Sequence, residues 1–155
     1  MALRKIVVGV DGSEHSQRAL IWALTEAILR ETPCVALYAI DVESRGEDTY
    51  VPPEEMEEAV AAGRAVLAQA LKQAPVELRE GVQVEERVEL APAATALIAA
   101  SHDALLLVVG SRGRSEVKEL LLGSVSTACV HHAPCPVVVV PREQRATAAR
   151  GAGRE

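Results

Sequence analysis

Five short apolar runs punctuate the chain: "RKIVVGV" at 4–10, "CVALYAID" at 34–41, "VQVEERVEL" at 82–90, "ALLLVV" at 104–109 and "VVVV" at 137–140. Runs of this length, rich in Val and Leu, predict strands. Between them apolar positions recur every three or four residues and predict helices. Leu20, Leu24, Ala27 and Ile28 share one helical face. Met56, Val60, Gly63, Leu67 and Leu71 share another, behind a "PPEE" start suited to a helix N-terminus. A shorter helix follows Pro92, with Ala93, Ala96, Leu97 and Ala100 on its buried side, and a fourth begins at Gly123-Ser124 and stops before Pro134.

Strands alternating with helices imply an α/β fold: a single open five-stranded parallel sheet with helices on both faces, Rossmann-like or flavodoxin-like. The run at 82–90 alternates Val82, Val84, Val88 and Leu90 with Gln83, Glu85, Arg87 and Glu89, so it is half exposed and belongs at an edge. "IVVGV" and "ALLLVV" are apolar throughout and belong in the centre, which fits the order 3-2-1-4-5. At the other rim Val137 to Val140 would form an adhesive strip. Either helices cover it while Pro136 and Pro141 end its pairing, or a second copy of the chain pairs along it; the homodimer is the favoured reading. The domain spans 1–141, residues 42–53 form a polar loop, and residues 142–155 lack apolar periodicity and are expected to be a disordered tail.

Composition narrows the function. At 155 residues and 49% hydrophobic content the chain builds one domain with a real core. With no Phe, one Trp (Trp22) and two Tyr (Tyr38, Tyr50), it lacks stacking platforms for single-stranded nucleic acid. The net charge is −6; Arg142, Arg145, Arg150 and Arg154 against Glu143 and Glu155 give the tail +2, so the body carries −6 − 2 = −8. A net-acidic body argues against a nucleic-acid partner. Cys34, Cys129 and Cys135 cannot pair evenly and form no CxxC, which points to a reducing, cytoplasmic setting. No run approaches the ~20 apolar residues of a membrane span, and the N-terminal apolar run is too short for a signal peptide.

The stretch "VVGSRGRSEVKELLLGS", Val108 to Ser124, carries the chemistry. Ligands of open parallel sheets sit beyond the carboxyl ends of the strands where the order reverses. Gly110 and Gly113 after a central strand allow a sharp turn and close approach to a ligand. Gly123-Ser124 opens a helix whose amides and positive end attract phosphate. Ser111, Arg112, Arg114, Ser115 and Lys118 supply donors between the two glycine sites. By chance G-x2-G-x9-G-[ST] arises in about 0.5% of chains of this length. There is no GxxxxGK[ST] and no GxGxxG.

With "KIVVGVDGSEHSQRALIWA" at 5–23, "LYAID" at 37–41 and "VVGSRGRSEVKELLLGSVSTACVHHAPCPVVVVP" at 108–141, the chain resembles the universal stress proteins nearly end to end, and specifically their ATP-binding branch. The resemblance implies a five-stranded α/β fold, ATP binding, a role as nucleotide-dependent sensor or regulator in stress response, and dimers joined through the last strand. Carried over by position, Gly9, Val10 and Asp11 lie beside the nucleotide. Ala39 meets the adenine through its backbone. Val109, Gly110, Ser111, Arg112, Gly113, Arg114 and Ser115 wrap ribose and phosphates, and Gly123, Ser124 and Val125 hold the phosphate tail. Leu105 and Leu90 depart from an Asp and a Gly frequent in the family.

Rival readings remain for several of these residues. Asp11 is a candidate ligand of Mg²⁺ on the phosphates or a ribose partner, with an Asx-turn in "DGS" as the alternative. A phospho-receiver would want an acidic pair after the first strand and a lysine after the last, where this chain has Asp11-Gly12 and Pro141-Arg142. Cys129, His131, His132 and Cys135 raise zinc, but residues 129 and 132 share a helix face that 131 does not. His15 and His102 are expected to face solvent, Ser13 and Ser16 to cap the first helix, and Cys34 to serve as a small core residue. A flavin carrier would want better aromatics than Tyr38 and Tyr50. No residue is forced into the water-orienting role of an ATPase, so slow Mg²⁺-dependent hydrolysis and a nucleotide-independent interaction module stand as alternatives. No catalytic residue is assigned, and the downstream protein partner is not named by the sequence.

Overall fold

The computed structural model describes residues 4–46, 48–113 and 122–142. Strand β1 (Lys5–Gly9) leads into helix α1 (Glu14–Leu29), then β2 (Cys34–Ala39), α2 (Pro53–Gln73), α3 (Val76–Glu80), β3 (Val84–Glu89), α4 (Ala93–Ala100), β4 (Ala104–Gly110), α5 (Ser124–His132) and β5 (Val137–Val140). Every strand pairing is parallel, and the sheet order is β3-β2-β1-β4-β5. That is the 3-2-1-4-5 arrangement expected from strand burial, because apolar β1 and β4 need cover on both faces while β3 does not.

Two apolar clusters clamp the sheet. One face carries α1, α2 and α3 over Ile6, Val8, Cys34, Ala36, Leu106 and Val108. The other carries α4 and α5 over Val7, Val35, Leu37, Leu107 and Val109. The division follows from the two-residue period of the strands, which sends neighbouring side chains to opposite faces. Both edges are half exposed: β3 at five of its six residues, with Glu86 fully out, and β5 along all four valines. On β3, Glu85 accepts from Lys5 Nζ at 2.6 Å and from Arg87 Nη2 at 2.7 Å, and this pair of cations lowers its carboxyl below the ordinary range.

Local chemistry sets the helix boundaries. Ser13 caps α1 by accepting the Ser16 N–H at 3.2 Å, and Pro53 opens α2 in the position where a missing N–H costs nothing. Helix α1 ends with Glu31 in the left-handed region, φ 51°, so that the Thr32 N–H reaches the Ala27 carbonyl at 3.0 Å. Two details differ from the sequence reading. Helix α3 was not foreseen, since five residues are too few to show a period. Gly110 ends β4 opposite Val140 rather than following the strand.

Among the described residues no helix is long and apolar enough to cross a membrane. Of the tail, only Arg142 lies within the described residues.

Candidate functional site

The strand order reverses between β1 and β4, and beyond their carboxyl ends lies a cavity of about 330 Å³. The sheet order, with β2 on one side of β1 and β4 on the other, divides its lining into two ends that differ in chemistry. One is apolar, walled by Leu37, Ala39, Ala93 and Leu97. The other is polar, walled by Asp11, Arg112, Gly113, Gly123, Ser124 and Ser126. Gly9, Val10, Val109, Gly110 and Val125 complete the lining with Tyr38 and Ser16.

Asp11 sits in the turn joining β1 to α1. Its Oδ1 accepts the Ser13 N–H at 2.9 Å, an Asx-turn, while Gly12 takes φ 84°, a value open to glycine at little cost. Ser16, buried inside α1, accepts the Asp11 N–H at 3.2 Å and donates to the Ser13 carbonyl at 3.1 Å. Ser13 therefore caps the helix and Ser16 braces the turn from within. A Cβ on Gly113 would stand 3.0 Å from Asp11 Oδ2, so the carboxylate also faces the polar end of the cavity.

The glycines divide by role. A Cβ on Gly110 would lie 2.8 Å from the backbone carbon and oxygen of His15. Its bare Cα thus admits the first turn of α1 against β4, a packing function beside the expected approach to a ligand. His15, expected to face solvent, is half-buried at this contact. His102 is exposed, with Nδ1 3.2 Å from the Ile98 carbonyl. Gly123 precedes α5 as its N-cap, where a Cβ would meet nothing nearer than 3.4 Å.

Ser111 is among the residues expected to contact the nucleotide. It is buried and is not among the residues lining the cavity. Its N–H donates to the Val140 carbonyl at 3.0 Å, and its own carbonyl accepts the Gly123 N–H at 2.7 Å and the Ser126 hydroxyl at 3.1 Å. Ser111 ties the end of β4 to β5 and to the start of α5. With that anchor made, no side chain among the described residues caps α5, and its first amides, on Ser124 to Ser126, open at the cavity's polar end. A helix terminus so placed attracts anions through its N–H groups and dipole. Arg114, Ser115 and Lys118 lie outside the described residues.

The cysteines and histidines do not converge. Cys34 is fully buried, and burial pushes its thiol up to about 12; Cys129 is likewise buried, its thiol raised to about 11 by burial first and by nearby Cys135 second. His131 and His132 are exposed. Cys129 thus points into the core and the imidazoles away from it.

Sequence reasoning had not marked Leu37, Tyr38, Ala93, Leu97, Ser16 or Ser126 as site residues. Ala93 and Leu97 carry the one legible signal: they stand one turn apart at the start of the helix that leaves the carboxyl end of β3.

The universal stress protein family model matches residues 2–141. The chain belongs to the universal stress protein family. Universal stress protein Rv2623 of Mycobacterium tuberculosis is 36% identical over 141 residues, covering 89% of this chain and 48% of its own length. The chain therefore spans about half the length of the curated relatives it matches. Among solved structures, a universal stress protein in complex with cAMP is 27% identical at TM-score 0.66, covering 91% of this chain and 98% of its own. A universal stress protein from Archaeoglobus fulgidus in complex with dAMP is 26% identical at TM-score 0.62, covering 90% and 98%. Family members of this fold thus include adenine-nucleotide complexes.

Proposed function

We propose that this universal stress protein binds an adenine nucleotide, with ATP as the ligand, and that occupancy sets a conformation or a partner interface. The observation that carries the reading is the two-ended cavity. An apolar wall suits a base, and about 5–10 Å away, a distance set by the strand spacing, a helix terminus that no described side chain caps suits phosphates, with Arg112 beside it. Its volume of about 330 Å³ is that of a small-molecule site. The cAMP and dAMP complexes of similar proteins support the ligand class.

Asp11 is the acidic side chain that fits a Mg²⁺ on the phosphates, since Oδ2 faces Gly113 while Oδ1 holds the turn. A bound Mg²⁺ would supply charge neutralisation there. With Oδ1 bracing the turn and Oδ2 directed at the metal, Asp11 keeps no oxygen for activating water, which favours a sensor over an ATPase.

The β5 rim supports a homodimer. The N–H groups of Leu107 in β4 and of Ser111 just after it donate to the carbonyls of Pro136 and Val140, so the alternation of a parallel ladder turns the main-chain groups of Val137 and Val139 outward. A second copy adding its own β5 would satisfy them and cover the valines.

The test is to denature purified protein, identify any released nucleotide, and measure the thermal shift with ATP, ADP and AMP. Released or stabilising ATP without turnover supports the sensor; Mg²⁺-dependent phosphate release supports the ATPase. No nucleotide and no shift would overturn the proposal in favour of an interaction module. For assembly, Val139→Pro is expected to convert a sedimenting dimer to monomer while leaving the β4 ladder intact.

A further inference from the structure

The apolar end of the cavity contains a device that the glycine pattern does not describe. Leu97, on α4, is 3% exposed and forms part of the cavity wall. It rests on Gly9, the last residue of β1: a Cβ built on Gly9 would stand 3.0 Å from Leu97 Cδ1 and 3.3 Å from Cδ2. Gly9 has no positive φ, so its backbone does not call for glycine. What calls for glycine there is the leucine. Leu97 shares one buried apolar cluster with Val7, Leu37 and Val109 and also lines the cavity, so the cavity is the open space beside it.

We infer that Leu97, seated on Gly9, sets the size of the base end and so decides which bases the cavity admits. Gly9 is a positioning residue acting through Leu97, and Leu97 is the specificity-determining one. This rests on the adenine-nucleotide reading above and deepens it. Because the wall is a side-chain terminus on bare backbone rather than a hydrogen-bonded group, it selects by volume: truncation opens room, and a methyl on Gly9 removes it.

The experiment measures affinity for ATP and for ATP enlarged on its base, with a benzyl group on the exocyclic amine or a bromine on the imidazole carbon. Proteins compared are wild type, Leu97→Ala, Gly9→Ala and the double variant. Leu97→Ala should improve the ratio of enlarged ligand to ATP by about tenfold for at least one analogue. Gly9→Ala should weaken ATP by about threefold to tenfold, and the double variant should recover that loss, the signature of coupled neighbours. Ratios within one protein are insensitive to the folded fraction, so loss of stability in Leu97→Ala does not obscure the result. Independently of any nucleotide, the Leu97 methyl NMR signals should move in Gly9→Ala. If wild type binds ATP but Leu97→Ala leaves every ratio unchanged, or the two substitutions simply add, this inference fails alone. If wild type binds no adenine nucleotide, the proposed function and this selectivity fail together.

Discussion

Gly110→Ala separates packing from ligand binding. The new Cβ would lie 2.8 Å from main-chain atoms of His15 at the first turn of α1. A main-chain obstacle cannot rotate aside, so α1 must slide outward, and its Ala19, Leu20, Ala23, Leu24 and Ala27 are all fully buried in one cluster. Overpacking of this kind costs about 2–3 kcal/mol, partly offset by the lower entropy of the unfolded alanine chain, for a net loss of about 2 kcal/mol. In a domain of this size that lowers Tm by about 4–8 °C. Gly123→Ala is the control, because its Cβ meets nothing closer than 3.4 Å and its φ of −72° suits alanine. It should cost less than about 1 kcal/mol yet weaken ATP, since the methyl stands at the mouth of α5. Urea denaturation gives both stabilities and calorimetric titration gives both affinities. The reasoning is refuted if Gly110→Ala stays within about 0.5 kcal/mol of wild type, or if Gly123→Ala is the more destabilising of the two.

Other outcomes follow from single contacts. Asp11→Asn keeps an acceptor for the Ser13 N–H, so stability should hold while Mg²⁺ enhancement of ATP affinity disappears; Asp11→Ala should also lose about 1 kcal/mol with the turn. Cys34, its thiol pushed up to about 12, should resist a thiol-specific reagent at pH 8 until the protein is unfolded by urea. Glu85 has a lowered folded pKa, so its contribution is present above the unfolded glutamate range and vanishes as pH falls through the lowered value. Because its side chain is 42% exposed, Glu85→Gln should flatten the acid limb of the stability curve by well under ~1 kcal/mol, less in high salt. Glu31→Gly, relieving the left-handed residue after α1, should raise stability by up to about 1 kcal/mol in chemical denaturation.

The sequence by itself determined the parts that depend on near neighbours along the chain. Strand and helix identity came from periods of two and about 3.6 residues, and the sheet order from how much of each strand was apolar. Ser13 and Pro53 announced helix starts because caps act within one turn. The polar end of the cavity was legible for the same reason: the glycines and the Gly123-Ser124 helix start belong to one contiguous stretch.

Only the tertiary structure decided what depends on residues far apart in sequence. That Gly110 yields to His15, that Gly9 seats Leu97, and that the Ser111 carbonyl anchors Gly123 and Ser126 are contacts across 12 to 95 positions. No local pattern encodes them, since a glycine freed for a ligand and one freed for a packed helix have the same letter. The apolar wall was hidden likewise: Leu37, Ala93 and Leu97 read as ordinary core residues, and they become a pocket only where β1 and β2 end beside the first turns of α4.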